Sequence, residues 1–217
     1  MDLELDHFFI LVEPKAQVGD RLVELGMQES FSRHHNGQGT SNRRFEFSNS
    51  MLELLWVRDP DEANNGPGRN LRFPERAINS NASPFGIVLS KKNKSDTGMP
   101  FNGWQYQPDY FEPPMAFHIG DNASNILEPL CIYVPFLEPA EQEGVSDNIK
   151  SGKFKSISHV KIYSTEKNIS KALAISNLAA GLTIDQAEQH LMEITFDDNR
   201  LGCTQDMRPN LPLIIHW

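Results

Sequence analysis

Glu53 sits in MLELLWV (51–57), a run whose other members are apolar, and His7 sits in LDHFFIL (5–11). A carboxylate and an imidazole carried by apolar strands are groups that hold divalent cations or move protons. An unpaired buried charge costs several kcal/mol, so Glu53 needs a partner. Strict alternation places His7 on the face of Leu3, Leu5, Phe9 and Leu11. There it is either a core histidine satisfied by a hydrogen bond or a ligand. An ion pair with Arg43 or Arg44 on the neighbouring strand would satisfy Glu53 without a metal.

Other candidates lie in loops. RHHNGQGTSNRR is dense in donors, and its glycines let the backbone approach a ligand, so His35, Gln38 and Arg43 are candidate substrate contacts. A tight turn with surface histidines is the alternative. GxG with no following helix and Lys-Ser/Thr is too weak for a phosphate loop. Trp104 leads the aromatic cluster GWQYQPDYF (103–111), a lid over an apolar ligand or an anchor for its own loop. His118, in AFHIGDN, either lines the same pocket or bonds Asp121.

These residues are positioned by recognisable elements. LDHFFILV reads as a strand, and KAQVGDRLVELG as a helix stopping at Gly26. ESFSRHH, NRRFEFS and MLELLWV read as three more strands, giving βαβββ. Residues 156–217 repeat that order: SISHVKIYS, the helix NISKALAISNLAAG ending at Gly181, then LTIDQ, LMEITF and LPLIIHW. In this alignment His7 falls on His159 and Glu53 on Pro212. Between the two ends, most of the 14 prolines predict turns and loops, with strands at FGIVLS, MAFHIG and PLCIYVPF and a solvated tract EPAEQEGVSDN (138–148).

A βαβββ unit with His in its first strand and Glu in its last, present twice, resembles the vicinal oxygen chelate superfamily of glyoxalases, extradiol dioxygenases and antibiotic-resistance binding proteins. HHNGQGTSNRRFEFSNSMLELLWVRDPDE is similar more narrowly to its glyoxalase-like branch. The resemblance is best over 3–62 and weaker over 156–217. It implies an α+β fold in which two βαβββ units form a curved, barrel-like mixed sheet around a pocket. The units would be 1–62 and 151–217, with an irregular strand-containing middle over 63–150, all in one integrated domain. It also implies a divalent metal, Fe, Zn, Mn or Ni, held by His7, Glu53 and His159, with the fourth position falling on Pro212, which has no side-chain donor. Glu193 in LMEITF is a substitute carboxylate or an ordinary sheet residue.

Composition narrows the partners. The net charge of -9 and the absence of a basic stripe argue against nucleic acid. No apolar run approaches a membrane span, and the acidic start MDLELD is unlike a secretory signal. The expectation is a cytoplasmic protein with reduced Cys131 and Cys203. The expected partner is a small organic molecule with adjacent oxygens, chelated by metal in isomerase, lyase or dioxygenase chemistry. The alternatives are a metal-free binder of the same fold, and a homodimer paired through sheet edges.

Overall fold

The computed structural model describes residues 1–138 and 152–217. Apart from its first residue, the tract 138–148 expected to be solvated lies outside the described residues. Mixed α+β structure, mostly sheet, is what the remainder forms.

Eight strands make the first sheet: β1 (Leu3–Leu11), β2 (Arg33–His35), β3 (Thr40–Glu46), β4 (Met51–Val57), β5 (Phe85–Lys91), β6 (Gly103–Tyr106), β7 (Phe117–Gly120) and β8 (Leu130–Tyr133). They run β2-β3-β4-β1-β5-β8-β7-β6 and curl into a half-barrel. Read outward from the antiparallel β1–β5 seam, the two halves match: a parallel neighbour (β4 or β8), then two antiparallel ones (β3 and β2, or β7 and β6). Helix α1 (Gly19–Leu25) joins β1 to β2, while 92–102 joins β5 to β6 without a helix. Two short helices, α2 (Pro60–Asn65) and α3 (Phe73–Ile78), connect the halves; DPDE and FPER supply their capping Asp59 and early prolines.

The second sheet contains β9 (Ile157–Ser164), β10 (Leu182–Gln186), β11 (Leu191–Phe196), β12 (Thr204–Asp206) and β13 (Leu213–His216), in the order β10-β9-β11-β13-β12. Its element sequence imitates that of residues 3–57, but its pairing differs. In the first sheet the opening strand β1 lies beside the fourth strand β4; here β9 lies between β10 and β11, and β13 pairs with β11. The expected equivalence of 3–57 and 156–217 therefore does not hold. After helix α4 (Lys171–Ser176), the five-residue β10 returns parallel to β9 as a direct crossover. After α1, the three-residue β2 goes to β3 instead. Helix α4 also stops at Ser176, short of the expected Gly181.

The two faces of the half-barrel have separate fates. Phe8, Ile10, Leu52, Leu54, Phe85, Ile87, Leu89 and Tyr133 pack with Val160, Ile162, Leu173, Ile194 and Leu213, so the second sheet backs the first. Phe9, Leu11, Leu55, Val88, Ile119, Leu130 and Ile132 form a second cluster on the front face, with Leu71 and Phe73. Polar side chains pin the layers together. Asn49 brackets Ile157, accepting from its N–H at 2.9 Å and donating to its carbonyl at 2.8 Å. Fully buried Glu128 accepts from the Ser170 N–H and hydroxyl, both at 2.6 Å, and from Asn122 Nδ2 at 2.9 Å.

Replacing Glu128 by Ala strands those donors at the start of α4. Denaturant unfolding should show a loss of roughly 3 kcal/mol, on the scale of a broken buried charged network. A loss below about 0.5 kcal/mol would show that the carboxylate does not hold α4 to the half-barrel.

Candidate functional site

A cavity of about 340 Å³ opens on the front face. One end is polar, lined by Asp6, His7, Arg33, His35, Gln38, Arg44, Glu53 and Tyr110. The rest is apolar, with Phe9, Leu55, Phe73, Val88, Phe117 and Ile132 among its walls.

Each polar side chain is aimed by its strand. Glu53 and Leu55 alternate with the back-face Leu52 and Leu54 on β4. Arg44 is the direct cross-strand partner of Glu53 on β3, and its Nε lies 3.0 Å from Glu53 Oε1. This is an ion-pair contact without hydrogen-bond alignment. On β1 the register slips between Leu5 and His7. That bulge leaves Leu3 and Leu5 on the back face, while His7, Phe9 and Leu11 turn to the front. The expected single face from Leu3 to Leu11 is thus divided. Asp6, the extra residue, also reaches the cavity and holds His7 Nδ1 at 2.5 Å.

Burial would lower the His7 pKa, but the hydrogen bond to Asp6 and the charges of Glu53 and Asp6 outweigh it, so the imidazole is raised above its ordinary value. His35 goes the other way. Burial, helped by Arg44 and Arg33, lowers it to about 4 despite the opposing pull of Glu53. It stays neutral at pH 7, with Nδ1 2.9 Å from the Thr40 hydroxyl, which also accepts from Gln38 Nε2 at 2.7 Å. The loop carrying Gln38 turns through Gly37 and Gly39, both at positive φ, and the Gly37 N–H donates to Glu62 of α2 at 2.6 Å. Arg44 and Arg33 both approach the ring of Phe31, at 4.8 and 5.9 Å, and Arg33 lies 5.7 Å from that of Tyr110.

The expected site residues divide. His7, Glu53, His35 and Gln38 come together at the cavity. Arg43 does not: one step from Arg44, it points to the back face, held by Glu29 at 2.8 and 2.5 Å and by Asp20 at 2.8 Å. His118 alternates with the cavity-lining Ile119, so it too faces backward, with Nε2 2.8 Å from the carbonyl of Phe101 and not on Asp121. Trp104 belongs to edge strand β6 and packs against the front cluster outside the cavity; Tyr106, Tyr110 and Phe111 of the same segment line it. His159 pairs with Thr195 in the second sheet, and the half-barrel separates it from the cavity. Asp6 and Arg33 were not singled out from the sequence. Arg33 had a usable signal, since it shares the face of His35 two residues on.

The donors expected for a divalent metal do not come together: His7 and Glu53 line the cavity, and His159 lies in the second sheet. Among the described residues no group of three or more His, Cys, Asp or Glu is placed to hold an ion. The matching halves explain part of this. Exchanging them across the β1–β5 seam, where His7 pairs with Val88 and Phe9 with Gly86, carries His7 onto Gly86 and Glu53 onto Ile132. Neither has a donor, and a Cβ at Gly86 would meet the Phe9 ring at 2.0 Å.

No family model matches the sequence, and comparison with curated proteins gives no match. Among solved structures, a hypothetical protein from Staphylococcus aureus is similar in fold, with a TM-score of 0.56 at 14% identity over 98% of both chains. A hypothetical protein from Bacillus halodurans C-125 gives 0.40 at 16% identity over 65% of this chain and 99% of its own, too low to carry an argument.

The two imidazoles make opposite linkage contributions. Stability from His7 is full below the unfolded value near 6.5 and fades as pH rises through its raised pKa; His35 removes stability as pH falls from about 6.5 to its own value. Proton NMR should find His35 titrating at about 4 and His7 above 6.5, and Glu53→Gln should lower both midpoints. Midpoints unmoved by that substitution would show that Glu53 does not face the two rings.

Proposed function

We propose that this protein binds a small organic molecule in the front-face cavity, with the polar part of the ligand at Arg44, Glu53 and His7 and its body against the apolar wall. The observation that carries this reading is the division of one cavity into a charged end and an apolar remainder. In this reading the architecture is glyoxalase-like, of the vicinal oxygen chelate type, but its paired units are β1–β4 and β5–β8, and the C-terminal sheet is an added support. The matched strand order about the β1–β5 seam supports it.

Binding without metal is the form we favour. Glu53 already faces Arg44, His7 is bound to Asp6, and the second unit supplies Gly86 and Ile132 where the first has His7 and Glu53. Proton transfer to or from the ligand is a second reading, as an isomerase or lyase. It is favoured by the neutral imidazole of His35 and the carboxylate of Glu53 lining one space.

Protein purified without chelator should hold far less than one equivalent of Fe, Zn, Mn or Ni, and loading with each ion should leave Tm unchanged. An apolar fluorescent dye should bind, and Val88→Trp, which fills the cavity, should abolish that binding in a folded protein. A stoichiometric ion lost in both His7→Ala and Glu53→Gln would overturn the metal-free form. Dye binding unaffected by Val88→Trp would overturn the cavity as the ligand site.

A further inference from the structure

The charged end of the cavity is not internally complete. Arg33 and Arg44 meet Asp6, Glu53 and His7 there. Asp6 is taken by His7, and Glu53 comes closest to Arg44 at Nε, without hydrogen-bond alignment. Among the described residues the buried Nε of Arg44 has no hydrogen bond, and neither its Nη groups nor the exposed Arg33 side chain is shown with a protein hydrogen-bond acceptor. Arg44 is nonetheless only 14% exposed. A half-desolvated guanidinium normally finds carboxylate or carbonyl oxygens, as Arg43 on the same strand does with Glu29, Asp20 and the Ala16 carbonyl. Phe31 lies 4.8 Å from the Arg44 guanidinium and Tyr110 5.7 Å from that of Arg33, cation–ring contacts that supply no hydrogen-bond acceptor.

We infer that the natural ligand is a monocarboxylate with an apolar body, its carboxylate held by Arg44 and Arg33. This rests on the cavity being the ligand site. One carboxylate would supply the acceptors that the Arg44 Nη groups lack. A second acid group would be left against Phe9, Leu55, Phe73, Val88, Phe117 and Ile132, away from any cation, so desolvation disfavours dianions. A cationic head would face Arg33 and Arg44. The cavity volume suits the small end of the range for organic ligands, an aryl or medium-chain alkyl acid.

Titration calorimetry with phenylbutyrate, its neutral amide and the dianion phenylenediacetate tests this. Phenylbutyrate should bind at one site, with the amide and the dianion each about tenfold weaker or more, the scale of a charge-assisted contact. Arg44→Lys, which leaves Glu53 a cation, and Arg33→Met should each weaken phenylbutyrate by about tenfold and leave the amide unchanged. Val88→Trp should abolish binding of all three. If the amide binds as well as the acid and Val88→Trp removes both, the cavity reading stands and the carboxylate assignment falls. If no probe binds, or if binding ignores Val88→Trp, the assignment falls together with the cavity reading.

Discussion

The cost of holding the Glu53 carboxylate in the sheet organises the front of this molecule. The residue is 5% exposed and lies between Leu52 and Leu54, both fully buried. A carboxylate in that setting calls for a cation beside it, and the antiparallel register of β3 on β4 places Arg44 directly opposite. Slipping β3 by one residue would present Arg43 or Phe45 instead and send Arg44 to the back face. The pair therefore depends on the tight HNGQGT turn and the β3–β4 hairpin, and the cavity depends on the pair. From the strand beside β1, the same carboxylate adds to the Asp6 hydrogen bond in raising the His7 imidazole.

A second constraint is that the half-barrel must bury both faces yet keep a hollow on one. The back face is closed by the C-terminal sheet, with Phe47 and Phe154 against Phe196 at 4.7 and 4.9 Å. That dense packing is what lets the front wall remain open without collapse. The bulge at Asp6 joins the two demands. It lets β1 give Leu3 and Leu5 to the back layer and still present Asp6 and His7 in front.

Much of this was legible in the sequence, and the misses share a cause. Every strand but β6 and β12, helix α1 and its stop at Gly26, and an arginine partner for Glu53 follow from pattern and charge. Which neighbour of a pair faces the cavity does not, because loops and bulges reset strand parity. Arg43 for Arg44 and His118 for Ile119 are one-residue errors of that kind. The half-barrel's second half went unseen as a repeat because its counterparts of His7 and Glu53 are Gly86 and Ile132, which announce no chemistry. The C-terminal segment, with His159 in its first strand, was the more tempting match. Element order along a chain does not encode which strands pair, and its sheet is wired differently.

The claim that the site is built on the Arg44–Glu53 pair is tested most directly by a double-mutant cycle on unfolding free energy, using Glu53→Gln, Arg44→Met and the two together. Each single change should cost roughly 3 kcal/mol by leaving a buried partner uncompensated, and the double variant should cost at least about 1 kcal/mol less than the sum. Losses that add to within about 0.5 kcal/mol would contradict the account, because the two side chains would then be independent of each other.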